Sequence, residues 1–284
     1  MSLTGNTKIA GIMGCPVKHS LSPVIHNFWM REYNLDGVYI PLPVAPDALE
    51  RAVSGLAALG FSGVNLTIPH KEAVIPYLDD LRDAARKIGA VNTIRVRSDG
   101  TLEGDNTDGF GFRAAIEHDA PDGWSPAGKP VVVCGAGGAA RAIIHALKTW
   151  RAGEIRIVNR TFERAESLAD EFDKPCKPYD WATREEILDG AALLVNTTQC
   201  GMVGEPPLDI SLKSLPVDAI VNDIVYAPLI TPLLADALER GNIIVDGLGM
   251  LLHQARPAFR GWFDIDPAVT PRLRDTILAA ARKG

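Results

Sequence analysis

The chain has 284 residues, 46% of them hydrophobic, and carries a net charge of −6. That is apolar material enough for one large domain or two ordinary ones, and the acidic balance argues against nucleic acid as a partner. The four cysteines (Cys15, Cys134, Cys176, Cys200) lack any paired spacing, so neither a zinc site nor a disulfide framework is expected; with no signal peptide and no apolar run near the ~20 residues of a membrane span, the expectation is a cytoplasmic protein without membrane attachment.

Strand-like and helix-like segments alternate from the start, the pattern of an α/β protein with mostly parallel sheets. Strands are predicted at residues 8–14, 38–41, 63–66, 91–96 and, briefly, 102–104. Helices are predicted at 23–33, 47–59, 79–87 and 108–118. Residues 120–130, rich in Pro, Gly and Asp, read as a linker. A short apolar run from Val131 then feeds a glycine turn that opens a helix, and a second apolar run starts at Ile155. Further strands are expected at 193–196, 220–223 and 243–246, with a helix at 232–240. Two C-terminal helices follow, 248–259 and 267–282. Pro257 should kink or end the first of them, because it removes the bond to the His253 carbonyl. The last helix lies beyond the last strand of the second sheet, and we expect it to return to the N-terminal domain. The expected division is 1–107 with 248–284 as a substrate-binding domain, and 108–247 as a Rossmann-type dinucleotide-binding domain.

The middle segment carries the sharpest signal. Val131-Val-Val-Cys-Gly-Ala-Gly-Gly-Ala-Ala140 has the strand, glycine turn and helix start of a dinucleotide-binding βαβ unit. Gly135 permits the tight turn. Gly137, with Ala136, Gly138 and Ala139, lets backbone N–H groups approach a pyrophosphate at the positive end of the helix. Ala140 takes the third place, where a small side chain allows helix and strand to pack closely. A NAD-binding unit should end its second strand with a carboxylate on the ribose. Here the strand ends in Asn159-Arg160-Thr161, with Arg164 a turn later. A guanidinium binds a 2′-phosphate through charge-assisted hydrogen bonds, so the expected cofactor is NADP(H).

Four N-terminal segments carry polar residues suited to a substrate site. In His19-Ser-Leu-Ser-Pro23, Ser22 as N-cap and Pro23 at N1 make an ordinary helix start, while Ser20 and Ser22 together could cradle a small carboxylate. In Asn65-Leu-Thr-Ile-Pro-His-Lys71, Lys71 falls in the first turn of a short helix beside Asn65 and Thr67. The macrodipole disfavours a cation there, which suits a catalytic amine as well as a solvated lysine. Asn92, within the apolar Gly89-Ala-Val-Asn-Thr93, must satisfy its amide on a hydroxylated ligand or on neighbouring backbone. Gly104-Asp-Asn-Thr-Asp-Gly109 opens a helix. Asp108 is favourable there on electrostatic grounds alone, and could also face the Lys71 ammonium as an acid–base couple. No metal is expected, since the acidic pair lacks a calcium-loop spacing or a His partner.

Together with Asp223-Ile-Val-Tyr-Ala-Pro228, Asp246-Gly-Leu-Gly-Met250 and Gln254, these motifs resemble, in order and over nearly the whole chain, the shikimate dehydrogenase family. The resemblance implies NADPH-dependent reduction of 3-dehydroshikimate to shikimate in aromatic amino acid biosynthesis, by a two-domain protein with its active site in the cleft, acting as a monomer or homodimer. It implies that Lys71 is the catalytic lysine and Asp108 its partner. It further implies that Ser20 and Ser22, with Tyr226 nearby, hold the substrate carboxylate, and that Thr67, Asn92 and Gln254 hold ring hydroxyls, with Asn65 in the same loop. Ile224, Gly247 and Met250 fall where the family lines the nicotinamide. The chain departs from the family at Gln199-Cys200, and at His253 and Pro257 beside Gln254. Quinate and aminoshikimate dehydrogenases are the alternatives within the family, and a non-catalytic dinucleotide-sensing regulator is the alternative outside enzymes.

Overall fold

The computed structural model describes residues 3–281. The expected domain limits at residues 1 and 284, and the expected last turn at Arg282, lie outside them. The chain forms two units, one taking it to Thr107 and again from Gln254, the other taking Asp108–His253.

In chain order, the first unit contains β1 (Lys8–Gly14), α1 (Ser22–Glu32), β2 (Gly37–Pro43), α2 (Leu49–Ser54), β3 (Phe61–Leu66), α3 (His70–Ala73), β4 (Asp80–Leu81), α4 (Asp83–Ile88), β5 (Thr93–Val96) and β6 (Leu102–Asp105). Its sheet runs β2-β1-β3-β5-β6-β4. The neighbours of β1 are parallel to it, while β5 is antiparallel to both β3 and β6, so the sheet is mixed. A short connection between β5 and β6 allows only the antiparallel arrangement.

The second unit contains α5 (Asp108–Asp119), β7 (Val131–Cys134), α6 (Gly138–Thr149), β8 (Ile155–Val158), α7 (Phe162–Phe172), β9 (Cys176–Tyr179), β10 (Leu193–Asn196), β11 (Ile220–Asp223), α8 (Pro232–Arg240) and β12 (Ile243–Val245). Its sheet runs β9-β8-β7-β10-β11-β12 with every neighbouring pair parallel. Numbered from β7, that is the 3-2-1-4-5-6 order of a Rossmann sheet, whose strand order reverses between β7 and β10. Alternation along the strands explains its two cores. Val131, Val133, Ile155, Ile157, Leu193 and Val195 face one; Val132, Cys134, Val158, Leu194 and Val221 face the other.

Two helices close the chain, α9 (Gly247–Phe263) and α10 (Pro271–Ala281). The division between units falls inside α9, and everything from Gln254 onward groups with the first unit. There Trp262 Nε1 donates to the Ile94 carbonyl of β5 at 2.9 Å, and Trp29 Nε1 donates to the Ala268 carbonyl at 2.9 Å. His26, Tyr39, Trp29, Phe259 and Trp262 form one aromatic cluster, with the His26 and Tyr39 rings stacked 4.2 Å apart. Among the described residues, no helix is long and apolar enough to cross a membrane.

Several sequence expectations need correction. Pro257 does not end its helix, because α9 runs on to Phe263. The helix expected at 79–87 is only α4. Residues before it pair with β6, the Arg82 amide donating to the Gly104 carbonyl at 2.8 Å and the Leu102 amide to Asp79 Oδ2 at 2.7 Å. The helix expected at 47–59 is a 3-10 turn followed by the six residues of α2, stopped at Gly55. Strand β9 was not expected. Its Cys-Lys-Pro-Tyr sequence lacks apolar alternation, and Pro178 is tolerated because the strand lies at the sheet edge.

Gly247 shows how tightly the start of α9 is set. A Cβ there would lie 2.2 Å from the Ile224 carbonyl oxygen, a backbone atom that cannot rotate away. Gly247→Ala should therefore lower the unfolding free energy by roughly 1–3 kcal/mol, measurable as a lower urea midpoint at unchanged slope.

Candidate functional site

In the first unit, the polar residues expected at a substrate site fall into one hydrogen-bonded network and two flanking loops. The network begins at Tyr39, buried on β2, whose hydroxyl donates to Asn65 Oδ1 at 2.8 Å. Asn65 Nδ2 donates to the Asn92 carbonyl at 3.1 Å and to Thr93 Oγ1 at 2.9 Å. Thr93 Oγ1 donates to Asn92 Oδ1 at 3.0 Å. Asn92 Nδ2 then reaches Thr107 Oγ1 at 3.0 Å and Gln254 Oε1 at 3.4 Å. The structure thus joins Asn65, Asn92 and Gln254 across three separate segments. Burial holds the His26 ring, stacked on Tyr39, at a pKa of about 3, so the ring is neutral, and burial raises the Tyr39 phenol well above its usual value.

The strand expected over 91–96 begins only at Thr93, and the two residues before it explain why. The Val91 amide donates to the Lys71 carbonyl at 2.8 Å. Asn92 accepts from the Leu66 amide at 2.8 Å and donates its own to Asp105 at 3.0 Å. These bonds tie the turn bearing Lys71 to the ends of β3 and β6. Lys71 is half-buried on α3, which has only four residues, so the macrodipole expected to act on it is that of a single turn. His70, beside it, is buried and donates from Nε2 to the Val44 carbonyl at 2.8 Å. Thr67 lies half-buried on the loop between β3 and α3, its amide on the Met13 carbonyl at 3.0 Å.

Ser22 is not the N-cap. It is the first residue of α1, Leu21 occupies the cap position, and no side chain caps the helix there. The Ser22 amide instead donates to Ser20 Oγ at 3.3 Å. The capping explanation of Ser22 therefore moves one position away, and its hydroxyl, on a buried residue, is not used for capping.

In the second unit, Asp108 is the first residue of α5 and is 9% exposed. The glycine turn follows β7. Gly135 has a φ of +107°, and a Cβ there would lie 2.5 Å from Thr197 Oγ1, so only glycine fits. Gly137 and Gly138 differ. Their φ values are not positive, and a Cβ on either would meet nothing within 4 Å. No neighbour in the protein demands glycine at these two positions. Gly137 caps α6 without any side-chain acceptor for the first helical N–H groups. Open space over uncapped amides is what close approach of a phosphate requires.

Arg160, Thr161 and Arg164 are exposed at the end of β8 and the start of α7, and Asn159 Nδ2 braces the turn by donating to the Thr161 carbonyl at 2.8 Å. Neither arginine makes an ion pair among the described residues. The residues present therefore fit a dinucleotide with an extra phosphate on its ribose. At the neighbouring strand ends, Asp223 accepts from Asn196 Nδ2 at 3.0 Å and from Thr231 Oγ1 at 2.7 Å, and its burial pushes the carboxyl above its usual range. Ile224 and Tyr226 follow it, both half-buried, and burial raises the Tyr226 phenol. Met250 is half-buried in the first turn of α9, where Asp246 Oδ1 accepts from the Leu248 and Gly249 amides. The Gln199-Cys200 pair sits in a turn held by side chains, the Cys200 amide donating to Thr198 Oγ1 at 3.1 Å and its carbonyl accepting from Asn196 Nδ2 at 3.2 Å.

Sequence reasoning did not single out Tyr39, Thr93 or Thr107. Tyr39 reads as one more apolar strand position. Thr107 lies inside the polar cluster 104–109, which drew attention only for its carboxylates; its position directly before a helix start was the available signal.

Comparison with known proteins gives a consistent picture. Residues 12–94 match the profile of the shikimate dehydrogenase substrate binding domain, and residues 122–201 that of shikimate / quinate 5-dehydrogenase. A shikimate dehydrogenase (NADP(+)) of Paramagnetospirillum magneticum is 52% identical over 277 residues, covering 98% of this chain and 100% of that protein. Among solved structures, shikimate 5-dehydrogenase of Thermus thermophilus in complex with NADP(H) and shikimate aligns at 35% identity and a TM-score of 0.83, over 98% of this chain and 99% of the other. Quinate dehydrogenase of Corynebacterium glutamicum in complex with NAD aligns at 31% identity and a TM-score of 0.88, over 96% and 99%.

Removing the first donor of the polar network should be felt as stability. Tyr39→Phe leaves Asn65 Oδ1 buried without that hydrogen bond and should cost about 1–3 kcal/mol in chemical denaturation.

Proposed function

Because the chain belongs to the shikimate dehydrogenase family, we propose that it interconverts 3-dehydroshikimate and shikimate with NADP(H). One observation carries the reading: the groups that a phosphorylated dinucleotide and a hydroxylated ring carboxylate both need occur together on a chain that matches its relatives from end to end.

The cofactor supplies the hydride. The protein's tasks are to hold the ring, move one proton and exclude alternatives. As the ring carbonyl is reduced, its oxygen gains charge, and Lys71 delivers the compensating proton as general acid; in the reverse direction it accepts that proton as general base. Asp108 orients and charges the amine. Ser20 and Ser22, with Tyr226, hold the ring carboxylate, while Thr67, Asn92 and Gln254 hold hydroxyls, which confines the ring to one reactive pose. Asn65 acts through its neighbours, since its amide hydrogens already meet the Asn92 carbonyl and the Thr93 hydroxyl.

The amides of residues 135–139 would receive the pyrophosphate, Asn159, Arg160, Thr161 and Arg164 would hold the 2′-phosphate, and Ile224, Gly247 and Met250 would meet the nicotinamide. The enzyme works in a reducing cytosol, in keeping with its four free cysteines, as a monomer or homodimer that sedimentation velocity would distinguish. Quinate oxidation is the second reading, favoured by the likeness to the quinate dehydrogenase fold.

The test is an absorbance assay with shikimate and with quinate, each with NADP and NAD. Wild type should turn over shikimate with NADP fastest; a higher kcat/KM for quinate would transfer the assignment to the second reading. Lys71→Ala should lower kcat about 10²–10⁴-fold with a smaller change in KM, and wild-type turnover by this variant would remove Lys71 from the proton path. Arg160→Ala should weaken NADP by about 1.5–3 kcal/mol in titration calorimetry while NAD changes little, and equal losses would contradict a contact with the 2′-phosphate.

A further inference from the structure

Asp223 has no role in the mechanism above, although it is fully buried at the carboxyl end of β11. In register it stands beside Asn196 on β10, and Asn196 stands beside Cys134 on β7, the residue before the glycine turn. Every group that meets its carboxylate is a donor. The Val225 backbone N–H reaches Oδ1 at 3.0 Å. Asn196 meets the same oxygen at 3.0 Å, and that end of its amide is the nitrogen, because the other end accepts from the Thr198 backbone N–H at 3.0 Å. The Thr231 hydroxyl accepts from the Leu234 amide at 3.3 Å and gives its own proton to Oδ2 at 2.7 Å. Three donors suit the ionised form, which accepts at both oxygens and donates nothing. Among the described residues no cation pairs with it, and burial pushes its carboxyl above the usual range.

A buried carboxylate without a cation is costly, and at these strand ends it also opposes the phosphates of a dinucleotide. Hydrogen bonding alone does not account for the charge. An asparagine would meet the two N–H groups with its oxygen and give a hydrogen to Thr231 Oγ1. A dinucleotide, however, brings a cation of its own, since the nicotinamide ring is positively charged when oxidised and neutral when reduced. Ile224, the next residue, is pinned to the same strand end, its amide donating to the Asn196 carbonyl at 3.1 Å. Resting on the reading that Ile224 meets the nicotinamide, we propose that Asp223 sets the preference of the site between the two redox forms of the cofactor, its buried charge favouring the oxidised one. Attraction between an anion and a ring cation is strongest where water is excluded. Reduction of the ring removes it, so the same charge makes the bound reduced form a stronger hydride donor.

The test is calorimetric titration of NADP+, NADPH and adenosine 2′,5′-bisphosphate, which carries the extra phosphate but no nicotinamide, into wild type and variants without substrate. Asp223→Asn keeps the shape and removes the charge. It should raise the affinity for NADPH relative to NADP+ about fivefold or more. Adenosine 2′,5′-bisphosphate should bind it no more weakly than it binds wild type, showing an intact nucleotide site. Asp223→Ser, a second neutral variant that sets no amide against Thr231, should move the ratio in the same direction. Thr231→Val removes one of the three hydrogen bonds but keeps the charge, and should leave the ratio within about twofold of wild type. A merely structural Asp223 would, when replaced, weaken both redox forms alike, and that result overturns the proposal. So does a shift in Thr231→Val as large as that in Asp223→Asn. If wild type binds neither NADP+ nor NADPH, the cofactor reading has failed, a result separate from any change in the ratio.

Discussion

The 2.9 Å hydrogen bond from the Thr107 amide to Asn92 Oδ1 orders much of what surrounds it. Asn92 is an amide placed where an apolar strand residue would otherwise sit, and burying it without partners would cost several kcal/mol. Its partners come from everywhere around it. Its carbonyl accepts from Leu66 and Asn65, its amide N–H donates to Asp105, and its side chain meets Thr93, Thr107 and Gln254. A single residue thereby fixes the ends of β3 and β6, the approach to α5 and a position on α9. Satisfied networks of this kind rigidify, because each member loses a partner if another moves.

The second unit reaches rigidity by different means. Its strands are buried on both faces, so their residues are selected for packing and carry almost no chemistry. Chemistry is left to the strand ends, where backbone N–H groups, a buried carboxylate at Asp223 and exposed guanidiniums collect. Gly135 serves the fold and Gly137 does not, although both belong to the same turn. One is required by a neighbouring threonine, whereas a Cβ on the other would meet nothing within 4 Å among the described residues.

The sequence made the second unit more legible than the first. Continuous apolar runs at β7, β8, β10 and β11 announce buried parallel strands, and the glycine turn fixes their order. Strand β9 escaped because an edge strand needs no apolar alternation and can hold Pro178. In the first unit, composition could not reveal that residues 79–82 hand their backbone bonds to β6, so a helical pattern was misread there. Lys71 and Asn92 could be read because each breaks a local rule of charge or burial, while Asp108 and Asn65 were legible only as neighbours that could act with Lys71. Tyr39 and Thr107 break none. A tyrosine in a strand and a threonine before a helix are both commonplace, and only their bonds to Asn65 and Asn92 set them apart.

The division of the first unit between two segments that flank the second affects how the protein is made. Trp29 and Ile94 leave the ribosome well over a hundred residues before the groups that complete their surroundings, Ala268 and Trp262. The nucleotide-binding half, made of one continuous stretch, has all its strands well before then. Synthesis therefore inverts the usual order in which the amino-terminal portion settles first. The first segment of that unit must wait, partly formed and with aromatic surface uncovered, until α9 and the residues after it have been made, and a product truncated before α9 would be a natural client for chaperones or proteases.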